Sequence, residues 1–182
     1  IDITLDPKDD AQLIFESLNS TGLDLSEADK IRNFVLMNLD PELQEIYYDD
    51  YWNPVERNTD YKVSDYIRFY LSAMEAKTPA IKKVYPAFRT YTTKKFHHPD
   101  GGVLSLDTKA LFEELLNYSK HYKTCIHPNT GVKSIDSALE AIRVFDASVT
   151  RPYLLNLLEY RAQGDIDDDS VSAVLWMIDS YL

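Results

Sequence analysis

Apolar residues recur every three to four positions through most of this 182-residue chain, and they rarely alternate with polar residues one by one. The first spacing predicts amphipathic helices, whereas a half-buried strand needs the second. The sequence therefore predicts a mostly α fold, a bundle-like array of helices. The one strand-like run is residues 1–5, IDITL, which we expect to be left from a truncated domain.

The two ends of the chain indicate an internal piece of a larger protein. It begins at Ile1 rather than Met, directly on the strand-like run. It ends within an apolar helical pattern at Tyr181 and Leu182. We therefore expect flanking domains of the same chain among its partners.

Capping residues mark where several predicted helices begin. Ser26, with Asp29 three residues later, has the pattern of a capping box. Pro41 suits a first helical turn, because its fixed φ fits a helix and its missing N–H would have no partner there. Asp107 is placed to cap a later helix.

Further breaks are predicted from turn residues. Trp52-Asn53-Pro54 is expected to mark a junction, and Ser64 or Asp65 is expected to cap the helix that follows it. The histidine, proline and glycine residues at 97–102 and 127–131 predict loops. Helical patterns then cover residues 135–145, 152–163 and 168–182.

Charge is distributed unevenly along the chain. The net charge is −11, which argues against a general nucleic-acid binder, because phosphate binding needs a surplus of bases. Residues 77–98, the basic segment, nevertheless carry six bases and no acid. Aromatic residues are interleaved with these bases, a combination that can hold a phosphate backbone and stack on bases. The candidate nucleic-acid contacts are Lys82, Lys83, Arg89, Lys94 and Lys95.

The basic segment also permits a second interpretation, an amphipathic helix with aromatic residues inside and lysines in solvent. The spacing of Val84, Phe88 and Tyr91 predicts a helix here despite Pro86. The sequence alone leaves both interpretations open.

The single cysteine, Cys125, cannot form a disulfide within the chain, which predicts a reducing, cytoplasmic location. No apolar run is long enough to span a membrane, and we expect no membrane partner. Cys125 lies near His121 and His127, but a structural zinc site needs four ligands. The aspartates at 165–169 lack the glycine and the closing glutamate of a calcium loop, so a helix N-terminus explains them better. The sequence predicts no metal or other cofactor in this piece.

The longest motif covers residues 15–33, where a helix, a tight turn and a second helix are predicted. One interpretation is structural: the apolar positions pack, Asn19 holds the turn, and Asp29 pairs with Arg32. The other is that Asn19, Arg32 and Asn33 line a polar cleft that contacts a phosphate or a base. The motif residues are Phe15, Leu18, Asn19, Gly22, Leu25, Asp29, Arg32 and Asn33.

The run IFESLNSTGLDLSEADKIRNFVLM resembles the second signature of the GmrSD-type restriction endonucleases, which have a ParB/sulfiredoxin-like N-terminal domain. The resemblance implies that residues 1–40 close that domain and that residues 41–182 form the all-helical region after it. It also implies a parent protein that cuts modified phage DNA in bacterial defence, with a nucleotide and a divalent metal as its cofactors.

Two catalytic signatures of that family are missing from this sequence. It has no Asp-Gly-Gln-Gln-Arg run, which the family associates with nucleotide binding and hydrolysis, and no HNH nuclease pattern. We therefore expect no catalytic residues here and a non-catalytic helical portion of a DNA restriction endonuclease. The alternative is an acidic, helical protein-interaction module without nuclease function.

Overall fold

The computed structural model describes residues 25–37, 39–97, 106–145 and 147–182. These residues are mostly helical, as the apolar spacing predicts. The α-helices are α1 (Glu27–Leu36), α2 (Pro41–Tyr47), α3 (Asn53–Asn58), α4 (Val63–Glu75), α5 (Val84–Lys95), α6 (Thr108–Ile126), α7 (Lys133–Val144), α8 (Arg151–Gln163) and α9 (Asp168–Asp179). A π-helical segment, Tyr48–Trp52, joins α2 to α3, and 3-10 turns at Ile81–Lys83 and Ser148–Thr150 precede α5 and α8.

Helix α1 begins as its capping sequence predicts. The Ser26 hydroxyl accepts a hydrogen bond from the Asp29 N–H at 3.1 Å and donates one to the Asp29 carboxylate at 2.7 Å. Ile31, Phe34 and Val35 form the buried stripe of this helix. Local capping and burial therefore both favour the same helix.

The chain stays helical at residues 52–54, where the sequence predicts a junction. Trp52 is 1% exposed, and its indole N–H donates to the Glu56 carboxylate at 2.8 Å. Pro54 is the second residue of α3 and lies where the helix changes from π to α. The predicted junction is therefore present as a change from π-helix to α-helix between Trp52 and Asn53, not as a break in the helical chain.

The predicted cap of α4 is also displaced. The residue before the helix is Lys62, which makes no side-chain cap. The Ser64 hydroxyl instead accepts from the Ala28 N–H at 3.0 Å, which ties the start of α1 to α4. The helix ends at Ala76, whose φ of 52° is left-handed.

Buried side chains form two clusters. The first is built mainly from α1, α3, α4, α5 and α6, and its largest members are aromatic. The second is built mainly from α7, α8 and α9. Helix α8 contacts both, because Leu155 belongs to the first cluster while Leu154 and Leu158 belong to the second. The Asn156 side chain also donates to the Ala73 carbonyl at 3.0 Å, which fastens α8 to α4.

Several predictions concern residues that the structure does not describe. The strand at residues 1–5 and the motif residues Phe15, Leu18, Asn19 and Gly22 lie outside the described ranges. The domain boundary at residue 40 lies within the described ranges, which do not test it, so it stays a prediction. Within the described ranges, no helix is both long enough and apolar enough to span a membrane.

Candidate nucleic-acid interface

The basic segment folds into the 3-10 turn Ile81–Lys83 and helix α5. Pro86 is the third residue of α5, a position where its missing N–H breaks no helical hydrogen bond. Val84 and Phe88 are almost completely buried. The ring of Phe88 meets the ring of Phe34 edge to face at 6.3 Å, so this face of α5 is held against α1.

The aromatic residues of the basic segment pack inward. Phe88 is 0%, Phe96 7% and Tyr91 8% exposed. Tyr85 is half-buried, and its ring lies 6.1 Å from that of Phe34. These rings are occupied by the core, so they are not placed to stack on nucleic-acid bases. The basic segment therefore matches the second interpretation, an amphipathic helix with its aromatic residues inside and its lysines towards solvent.

Three lysines of this segment form what we call the lysine face: Lys82, Lys83 and Lys94. All three are exposed. None of them forms an ion pair with any residue in the described ranges. Their charges are therefore available to an anionic partner.

Lys95 has a different environment from the lysine face. Its ammonium group donates to both carboxylate oxygens of Glu114, at 2.7 and 2.8 Å, and lies over the rings of Tyr91 and Phe96. Partial burial lowers the pKa of Lys95, but the hydrogen bonds and charges of Glu114 and Tyr91 outweigh it and raise the pKa overall. Lys95 is thus committed to a structural ion pair.

The remaining predicted contact, Arg89, is half-buried and already takes part in an interaction of its own. The structure therefore divides the five predicted contacts into three exposed lysines and two engaged bases. Glu114 is 19 residues from Lys95 in sequence, so no local pattern could reveal this pairing.

A cleft lies between the end of α4 and α5. It consists of two depressions of about 420 and 540 Å³, and Glu75 lines both of them. Lys77 and Lys83 line the first, and Lys94 and Lys95 line the second. The cleft is therefore basic, and its wall contains one carboxylate, that of Glu75, which no sequence motif indicates.

Side chains of α4 form hydrogen bonds with the bend between α4 and α5. The Arg68 guanidinium donates to the Pro79 carbonyl at 2.8 Å. The Ser72 hydroxyl is 2.8 Å from the Arg68 carbonyl and 3.0 Å from the Thr78 hydroxyl. These contacts fix the backbone that carries one wall of the cleft.

The described part of the family motif forms a structural pair. The Arg32 guanidinium donates to Asp29 at 3.0 Å and lies 3.8 Å from the Glu56 carboxylate. Leu25 and Asn33 are half-buried. The pairing of Asp29 with Arg32 is the one that the structural interpretation expects, and a ligand contact by this motif stays a prediction.

The histidines near Cys125 have partners in different places. His121 lies 2.6 Å from Glu159, and His127 lies 2.7 Å from Asp60. Burial raises the pKa of the Cys125 thiol to about 12, so it is a core residue rather than a thiolate. Within the described residues, no three His, Cys, Asp or Glu side chains converge on a possible metal position.

The aspartates at 165–169 behave as helix-capping and surface residues. The Asp167 carboxylate accepts from the Ser170 N–H at 2.8 Å and caps α9, while Asp168 pairs with Arg161 at 2.6 Å. Hydrogen bonds from Ser170 lower the pKa of Asp167. Both arrangements suit a charged helix N-terminus.

Comparisons of this chain with protein-family models, curated proteins and solved structures found no match.

Proposed function

We propose that this chain is the non-catalytic helical portion of a modification-dependent DNA restriction endonuclease of the GmrSD type, and that its lysine face contacts the DNA backbone. The observation that carries the DNA contact is that Lys82, Lys83 and Lys94 are exposed and without ion pairs within the described residues. The family assignment rests on the resemblance of residues 15–33.

The location of the lysines supports this surface over others. Phosphate groups are attracted where bases exceed acids, and the basic segment has a surplus of six in a chain whose net charge is −11. The acidic remainder repels a polyanion, which orients the molecule with the lysine face towards DNA. A cytoplasmic location and a nucleotide or divalent metal in the parent protein belong to the same proposal.

A second candidate is the acidic, helical protein-interaction module. Exposed apolar side chains on the last helices favour it: Tyr153 is 53%, Trp176 44% and Met177 55% exposed. If these side chains form one contiguous patch, that patch is typical of a surface that another protein covers. This candidate predicts no measurable DNA binding.

The two candidates are separated by measuring duplex DNA binding. We expect the 182-residue chain to bind a fluorescent duplex weakly, with an affinity that falls steeply as salt rises. The variant K82E/K83E/K94E should bind at least about tenfold more weakly, and its log–log salt slope should be smaller in magnitude by about 3, since each phosphate contact contributes about 0.9.

The matched control is K120E/K123E/K133E, which changes the net charge by the same amount at three exposed lysines of α6 and α7. It should retain most of the affinity and the salt slope. Equal losses in the two variants would mean that only net charge matters and that the lysine face has no special role. Absence of binding by the unmodified chain would favour the interaction module.

A further inference from the structure

Helix α2 carries an unpartnered apolar face. It buries none of its seven residues, and Leu43 and Ile46 are 42% and 50% exposed. These two residues are three apart, so they lie on the same side of the helix. Only the last residue of the helix, Tyr47, packs on Phe112, at 5.2 Å between ring centres, and the π-helical segment that follows adds Tyr51, at 5.8 Å from the same ring.

Unpaired acids surround this apolar face. Residues 39–55 carry five acids and no base, and all five acids are exposed. None of them forms an ion pair within the described residues. We call this surface the acidic ledge, which comprises Leu43, Ile46 and the acids Asp40, Glu42, Glu45, Asp49 and Asp50.

The chain offers a complementary surface elsewhere. Ile81 is 69% exposed, and the two residues that follow it, Lys82 and Lys83, are exposed and unpaired within the described residues. We call Ile81, Lys82 and Lys83 the lysine corner. An exposed apolar side chain beside two bases matches the apolar and acidic character of the ledge.

The two surfaces belong to different neighbourhoods of one molecule. The ledge adjoins α6, since the Tyr47 ring lies 5.2 Å from Phe112. The lysine corner adjoins the start of α1, because the Tyr85 N–H donates to Glu27 at 2.7 Å. Within a single copy, the charges of the two surfaces therefore remain unpaired with each other.

We propose that the acidic ledge of one copy docks on the lysine corner of a second copy. The contact is heterologous, joining two different surfaces, so each copy can bind one neighbour on each side. Both surfaces comprise far fewer residues than the roughly 20–30 on each side of a stable complex, so the association is weak and sensitive to salt. It does not depend on the proposed function, although DNA bound at Lys82 and Lys83 would compete with it.

Sedimentation velocity of the 182-residue chain tests this proposal. We expect the weight-average sedimentation coefficient to rise with protein concentration at about 100 mM salt, which screens the long-range repulsion between two copies of net charge −11, and to stay at the monomer value at about 500 mM salt. E42K/E45K and K82E/K83E should each remain monomeric at low salt. L43S/I46S should also remain monomeric, because it removes the apolar part of the contact.

Mixing the two charge-reversed variants gives the decisive measurement. The intact lysine corner of E42K/E45K can bind the intact ledge of K82E/K83E, so an equimolar mixture should associate although neither variant does alone. The control K120E/K123E should associate like the unmodified chain. A monomeric unmodified chain, a mixture that stays monomeric, or equal loss in the control would each overturn the proposal.

Discussion

The Lys95 ammonium group lies within hydrogen-bond distance of both carboxylate oxygens of Glu114, whereas its neighbour Lys94 is exposed and makes no such pair among the described residues. Glu114 also accepts a hydrogen bond from Tyr70, a buried residue of α4. Adjacent lysines of the same charge therefore have different roles, one joining α5 to α6 and one facing solvent.

Because only Lys95 has this ion pair, removing Lys95 should destabilise the fold more than removing Lys94. Lys95→Ala should lower the free energy of unfolding by about 1 kcal/mol, a modest value because the Lys95 side chain is 40% exposed and the ion pair is partly screened. Lys94→Ala should change it by less than about 0.5 kcal/mol. Urea denaturation of the two variants measures both values, and equal effects would show that the pair with Glu114 contributes little.

Removing the charge of Glu75 in the cleft wall should strengthen DNA binding, whereas reversing the charges of the lysine face should weaken it. Glu75→Gln should strengthen duplex binding by roughly twofold, because it removes one repulsive charge near the lysines. It should also stabilise the chain slightly, since an acid in the last turn of a helix opposes the helix dipole. Asp165→Asn, the same charge change at an exposed residue between α8 and α9, is the control and should leave the affinity unchanged.

Much of the helical architecture could be predicted from the sequence, because the relevant signals are local. The Ser26 and Asp107 caps formed as predicted, with Asp107 accepting from the Ala110 N–H at 3.0 Å. The buried stripe of α1 follows directly from its apolar spacing. The cap expected at Ser64 or Asp65 did not form because of a tertiary contact, since the Ser64 hydroxyl bonds to the start of α1.

The candidate interface was less predictable, because the partners of its residues are distant in sequence. Interleaved bases and aromatics left two interpretations open, and the burial of Phe88 and Phe96 favours the amphipathic helix with its aromatic residues inside. Nothing near Lys95 indicates that Glu114 would pair with it, and nothing near Lys83 indicates that Glu75 would line the same cleft. Side-chain partners across helices depend on how the helices pack, which periodicity does not specify.

Two helix ends with left-handed backbone predict opposite effects of substitution. Gly164 ends α8 with a φ of 80°, so Gly164→Ala should cost about 1–2 kcal/mol. Ala76 ends α4 with a φ of 52°, so Ala76→Gly should raise stability by up to about 1 kcal/mol. The gain is reduced because glycine makes the unfolded chain more flexible, which favours unfolding. Thermal unfolding measures both, and a stabilising Gly164→Ala would contradict the assigned backbone.

The last prediction concerns Glu159, which links α8 to α6. Its carboxylate accepts from Asn117 at 2.7 Å and Gln163 at 2.6 Å, and it lies 2.6 Å from the His121 ring. Burial raises the pKa of Glu159, but the hydrogen bonds from these three side chains outweigh it and hold the pKa below its ordinary value of 4.5.

A carboxyl with a depressed folded-state pKa stabilises the fold above its unfolded pKa, and this contribution is lost as pH falls through the folded value. Glu159→Gln should therefore lower the free energy of unfolding by about 1–2 kcal/mol at pH 7, through weaker hydrogen bonds to a neutral group. The difference between the variant and the unmodified chain should shrink as pH falls below about 4.5. Urea denaturation across pH 3–7 measures this difference. The control is Glu140→Gln, which should have little effect because the ion pair of Glu140 with Arg143 is exposed and screened by solvent. A constant difference at all pH values would show that Glu159 stabilises the fold by packing rather than by its charge.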